Sequence, residues 1–213
     1  MLRAMDLDAL TTDKHARLAP ILAAGRAATG DTDPKVLLQV ALANEINVSE
    51  LAAAWMPTTP EIDVKIALAK QAGDEAGHFE LVAGRLATLG YDLAAFAPPP
   101  DNSQFQYLRG LATTVERLAA LWTLESLAVG VNENFMAYCE ARGDRETVQI
   151  YRDFIQPDEH AHEVACGLLL AKYATTPAET AAAATVVATV LELAETNRAR
   201  AAVRVGTSCL PGC

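Results

Sequence analysis

One five-residue pattern constrains this chain more than any other. Asp-Glu-x-x-His occurs twice, as Asp74-Glu75-Ala76-Gly77-His78 and as Asp158-Glu159-His160-Ala161-His162. With 4 histidines in 213 residues, composition alone supplies roughly 0.3 Glu-x-x-His matches, and the preceding aspartate lowers that to roughly 0.02. The spacing has a geometric reason. Residues three apart on a helix are stacked neighbours, with Cβ atoms about 5–6 Å apart, so the glutamate and the histidine converge on one cation. A chain carrying the pattern twice is expected to turn two helices toward each other.

The rest of the punctuation is also helical. Asp33-Pro34, Thr59-Pro60 and Thr176-Pro177 each place a capping side chain before a proline at the first helical position. Glu179 completes a capping box with Thr176, and Gly143-Asp144 reads as a helix end followed at once by the next N-cap. No period-2 alternation persists, so no sheet is expected. These signals predict an all-α chain: a preliminary helix near 5–28, then long helices at 34–56, 60–89, 105–142, 144–173 and 177–204. Pro57 to Thr59 joins the first long pair and Gly143 the second, so each pair should be antiparallel neighbours. Gly90 to Gln104, with Pro98-Pro99-Pro100, is long enough to cross over between the pairs. Two hairpins joined by one long crossover is the connectivity of a ferritin-like four-helix bundle. Residues 1–205 would form one domain with 177–204 as a long fifth helix, and 206–213 a loose tail.

Two further carboxylates complete the pattern. The apolar stripe of 34–56 (Leu38, Leu42, Val48, Ala52, Trp55) is interrupted by Glu45, while Glu50 lies on the opposite side. The stripe of 105–142 (Leu111, Val115, Leu118, Leu121, Phe135) is interrupted by Glu125, while Glu116 and Glu140 fall outside it. A lone carboxylate in an apolar stripe is costly unless it is paired or metal-bound. The candidate metal ligands are therefore Glu45, Glu75, His78, Glu125, Glu159 and His162, repeating at intervals of 80 and 84 residues.

Carboxylates can bridge, so such a set can hold two ions about 3.5–4 Å apart. Its four negative charges balance two divalent cations. Without them the carboxylates repel and their pKa values rise, so metal loading is expected to stabilise the fold. Asp74 and Asp158 lie about 100° round the helix from the ligand glutamates. Each is placed to take the second N–H of the other motif's imidazole. Pro157 should kink or bulge its helix, and His160 and His15 should stand outside the site. Trp122, Asn132 and Phe79 are candidate substrate-pocket residues. Asn132 is the polar one, two turns beyond Glu125.

Charge narrows the function. The chain has 17 Lys and Arg against 27 Asp and Glu, a net charge of −10. Its one basic cluster is Arg198, Arg200 and Arg204, so nucleic acid is not an expected partner. No apolar run reaches the roughly 20 residues of a membrane span, and no signal-peptide core precedes residue 21. Four scattered cysteines do not make a disulfide scaffold, although Cys209 and Cys213 could pair or catch a metal. A cytoplasmic location is expected. The 177–204 helix, with Val186, Val187, Val190, Leu191 and Ala194 on one face, should pack on the bundle or on a second copy, compatible with a homodimer.

The six ligands on four helices resemble the ferritin-like di-iron carboxylate superfamily. Glu45, Trp55, Lys65, Asp74 to His78 and Leu89-Gly90 are similar to the catalytic subunit of the phenylacetyl-CoA epoxidase family. Asp74 to Gly90 also resembles, more weakly, the ferritin-like tRNA hydroxylase group. The resemblance implies two Fe ions, with Mn or mixed Mn/Fe also suited to these ligands, and O2 chemistry on a small organic substrate. Hydroxylation, epoxidation, N-oxygenation or desaturation would then require an electron donor protein or reductant. A ferroxidase or iron-handling protein is the alternative, and a metal-stabilised structural subunit the third.

Overall fold

The computed structural model describes residues 7–28, 30–97 and 103–212. Among the described residues eight α-helices follow in order: α1 (Leu7–Arg26), α2 (Pro34–Trp55), α3 (Ile62–Thr88), α4 (Ser103–Arg109), α5 (Thr114–Glu140), α6 (Arg145–Ile150), α7 (Gln156–Tyr173) and α8 (Pro177–Val205). No strand occurs among the described residues. Helix α2 packs on α3 and α5 on α7, giving the two hairpins, and α3 meets α7 to close the bundle. Helices α1 and α8 cover the back of α5. That explains why α5 buries residues all round rather than one stripe: Leu118, Ala119, Ala120, Leu121, Leu124 and Leu127 are all within 1 % of full burial.

The caps show why the helices begin and end here. The Asp33 carboxylate accepts from Lys35 N, and Thr176 and Glu179 form a capping box. Gly143, with φ +75°, turns the chain, and Asp144 then caps α6 through Thr147 N. Arg85 on α3 reaches this turn, donating to Asp144 at 2.8 Å and to Thr147 at 3.0 Å.

Four features differ from the sequence expectation. Thr59 does not cap α3. Its hydroxyl instead donates to Trp55 O at 3.0 Å, and the helix starts later, at Ile62. The helix expected over 105–142 is two, because Gly110 to Thr113 breaks it and Thr113 with Glu116 makes a new capping box. Buried Arg117 secures that break by donating to Leu111 O and to Thr59 Oγ1.

The tail is not loose over its described part. Cys209, Leu210, Pro211 and Gly212 are buried, Arg198 donates to the carbonyls of Leu210 and Gly212, and Gly212 N donates to Asn132 Oδ1 at 2.9 Å. Cys213 and the Pro98 to Pro100 crossover lie outside the described residues. Finally, α8 is long and apolar enough by length and hydropathy to cross a membrane, yet it lays Val186, Val187, Val190, Leu191 and Ala194 into the core beside α5.

Between α6 and α7 the chain makes a π-helical turn, Tyr151–Ile155, just before Gln156-Pro157. Proline offers no N–H and its ring would strike the carbonyl four residues back. The wider π turn accommodates both, and it places α7 with Glu159 and His162 turned inward.

Candidate metal centre

Each hairpin delivers its carboxylates and imidazole to the same point in the bundle core. Glu45 is 3 % exposed, Glu75 1 %, His78 2 %, Glu125 0 %, Glu159 1 % and His162 8 %. One donor atom from each of Glu45, Glu75, His78 and Glu159 lies within 4.8 Å of the others. The same holds for Glu75, Glu125, Glu159 and His162. Glu75 and Glu159 are common to both groups. Glu50 and Glu140 are exposed, as are His15 and His160.

The imidazoles are oriented from outside. His78 Nε2 stands 3.2 Å from Asp158 Oδ2, and His162 Nε2 3.0 Å from Asp74 Oδ2, so each motif's aspartate serves the other motif's histidine. With Nε2–H given to an aspartate, each Nδ1 turns a lone pair inward. His78 Nδ1 then faces Glu75 at 3.4 Å and Glu45 at 3.5 Å. His162 Nδ1 faces Glu75 at 3.5 Å and Glu125 at 3.8 Å. Lone pairs so arranged demand a positive charge between them.

Burial and hydrogen bonding show the same need. Glu75 Oε1, Glu125 Oε2, Glu159 Oε2 and both Nδ1 atoms are buried without a hydrogen-bond partner, whereas buried polar atoms are ordinarily satisfied. In the metal-free cluster protons take the cation's place. Burial raises Glu45 to about 8, against the pull of His78, and burial with the nearby charges of Glu125 and Glu75 drives Glu159 well above the carboxylate range. Burial disfavours charged His78, but Glu45 and Glu75 outweigh it and raise it to about 10. Likewise Glu125 and Glu75 overcome burial to raise His162 to about 11. Glu75, between both imidazoles, is pulled down to about 2 despite its burial. Hard oxygens with imidazole nitrogen suit a divalent transition metal. These buried groups could hold a metal ion.

Two residues beside the cluster were not read from the sequence. Gln71, one turn before Glu75 on α3, donates from Nε2 to Glu125 Oε1 at 2.5 Å. Tyr151, the first residue of the π turn, is fully buried with its hydroxyl unpartnered. Burial, then the charge of Glu45, pushes its ionisation well up. The i−4 spacing to Glu75 could have indicated Gln71; Tyr151 depends on a π turn whose phase no periodicity states.

The candidate pocket residues have other contacts. Trp122 lies under the buried Lys14 ammonium, 3.4 Å from its ring centroid. Lys14 also donates to Glu163 at 3.3 Å. Phe79 packs on Phe96 at 5.9 Å. Asn132 is held by the tail through Gly212 N, its Nδ2 unpartnered.

No protein-family model matches the chain, and no curated protein matches it. The closer likeness to the epoxidase catalytic subunit therefore finds no support. Among solved structures, the chain is similar to a domain of unknown function with a haem oxygenase-like fold from Shewanella denitrificans. The match has a TM-score of 0.65 at 14% identity and covers 96% of this chain and 95% of that one. It places the chain among helical bundles of that fold.

Proposed function

We propose that the core cluster is a dinuclear metal centre, normally two iron ions, and that the protein is an O2-dependent oxidoreductase acting on a small organic substrate. One observation carries the reading: two four-residue donor groups that overlap in Glu75 and Glu159 and each add one terminal glutamate and one histidine. Such a set would hold two ions, with Glu75 and Glu159 as the residues shared between them. Bound iron would supply the reduction of O2 and the oxidation of a C–H, C=C or N–H group.

The protein's own contributions are positional. Asp74 and Asp158 fix the ring orientation and raise imidazole basicity. Gln71 holds Glu125 by one oxygen and leaves the other facing His162. Leu42 and Val48, a turn either side of Glu45 on α2, and Leu121, a turn before Glu125 on α5, are fully buried; such apolar packing would exclude water and strengthen every charge interaction inside. No catalytic acid or base beyond the metal ligands is assigned.

Ferrous titration under argon tests the reading directly. Saturation at two ions per chain, followed by O2 uptake that requires both a reductant and an organic substrate, is the expected result. Uptake driven by ferrous iron alone, continuing far beyond two equivalents, would replace this reading with iron handling. Tight metal binding with no O2 uptake under any reductant would leave a structural role.

A further inference from the structure

The basic cluster noted in the sequence has no part in the metal centre, and the structure gives it a place. A cavity of about 600 Å³ opens between α2, the 91–97 segment and the C-terminal half of α8. That volume lies within the roughly 300–1,000 Å³ of small-molecule sites. Arg198, Arg200 and Arg204 all line it. Arg198 is engaged with the tail carbonyls. Arg200 and Arg204, four residues apart on one helix face, are exposed and have no carboxylate within ion-pair distance among the described residues.

The facing wall is different in kind. Helix α2 contributes Val36, Val40 and Ala43 beside three amides, Gln39, Asn44 and Asn47, whose N–H groups are given to backbone carbonyls, and the 91–97 segment contributes the rings of Tyr91 and Phe96, the latter braced by Phe79. The cavity thus has a cationic edge and a ring-bearing wall that is uncharged and largely apolar. In a chain of net charge −10, two unpaired guanidinium groups over such a wall mark a local reversal of potential. Guanidinium forks match oxyanions bidentately.

We propose that this cavity is a binding site for an organic oxyanion carried on an apolar, ring-bearing body. Arg200 and Arg204 hold the oxyanion, and Val40, Tyr91 and Phe96 receive the body. Leu210 lines the cavity while Gly212, two residues on, bonds Asn132 in the bundle interior. The tail therefore forms the partition between this site and the core. The assignment goes beyond the metal reading and does not depend on it.

The test is equilibrium binding of 1-naphthyl phosphate to the full chain, followed by its fluorescence without added metal. Saturable one-to-one binding is expected, with 1-naphthol and inorganic phosphate each bound at least tenfold more weakly. The double variant Arg200→Glu/Arg204→Glu should weaken binding at least tenfold, and Val40→Trp should abolish it by filling the wall. Circular dichroism and melting temperature near those of the parent show that both variants fold. Naphthol bound as tightly as its phosphate, or a charge-reversed variant that binds unchanged, would overturn the proposal. So would arginine-dependent binding to phosphatidylglycerol vesicles with no affinity for the soluble anion, which would make this edge a lipid-facing surface.

Discussion

The two halves of the centre repeat each other in ligand type but not in support. On the side of the second hairpin, Glu125 is fixed by the Gln71 amide and faces His162. On the side of the first, Glu45 has His78 as its polar neighbour and is raised by burial to about 8. Tyr151, whose phenol feels the charge of Glu45, makes no hydrogen bond through its hydroxyl. One position is braced by an amide; at the other, Glu45 tends to keep a proton until a cation displaces it. A near-symmetric ligand set of this kind is expected to fill in order, the Glu125–His162 position first.

Removing what the halves share should have the largest effect. Glu75→Ala or Glu159→Ala is expected to lower ferrous stoichiometry from two ions to none at micromolar metal, read by equilibrium dialysis. Retention of two ions would break the bridged arrangement. Next come the unshared ligands. His162→Ala should lose the tighter ion and His78→Ala the weaker, so each variant binds one ion but with affinities at least tenfold apart. Equal affinities would erase the asymmetry.

The pH dependence is a third handle. Glu45, Glu159, His78 and His162 all have folded pKa values above their ordinary ones. Their contribution to the metal-free fold is therefore fully present below the ordinary values and declines as pH rises, through about 8 for Glu45 and about 10 to 11 for the histidines. Cations displace those same protons, so metal affinity moves the other way. The melting-temperature gap between loaded and metal-free protein should widen from pH 6 to pH 9, and a constant gap would count against protons as the cation's substitute.

Smaller effects belong to the supports. Gln71→Leu should weaken the tighter position about tenfold, the low end of the 10–100-fold range for outer partners of metal ligands, with the other position unchanged. Tyr151→Phe deletes an unpartnered hydroxyl and should shift stability by no more than about 1 kcal/mol, in either direction. A tenfold change in metal affinity in that variant would show the phenol to be part of the first position.

Much of this was legible because it is periodic. The stripe positions of Glu45 and Glu125, the two Asp-Glu-x-x-His motifs and the capping residues Asp33, Asp144 and Thr176 depend on local spacing, which a sequence states directly. What escaped depends on tertiary context. Thr59 looks like a cap, but Arg117 from 58 residues away claims its hydroxyl. Nothing in the local sequence marks Lys14 as buried, yet Trp122, Ser126 and Glu163 enclose it. The tail lacks any pattern of its own, and its order comes from Arg198 and Asn132.

The enclosure of α5 by α1, α7 and α8 has a kinetic meaning as well. A helix without a free face cannot release its backbone amides by fraying outward; its neighbours must part first. Deuterium should reach Leu118 to Leu127 last of all, and only when the whole bundle opens.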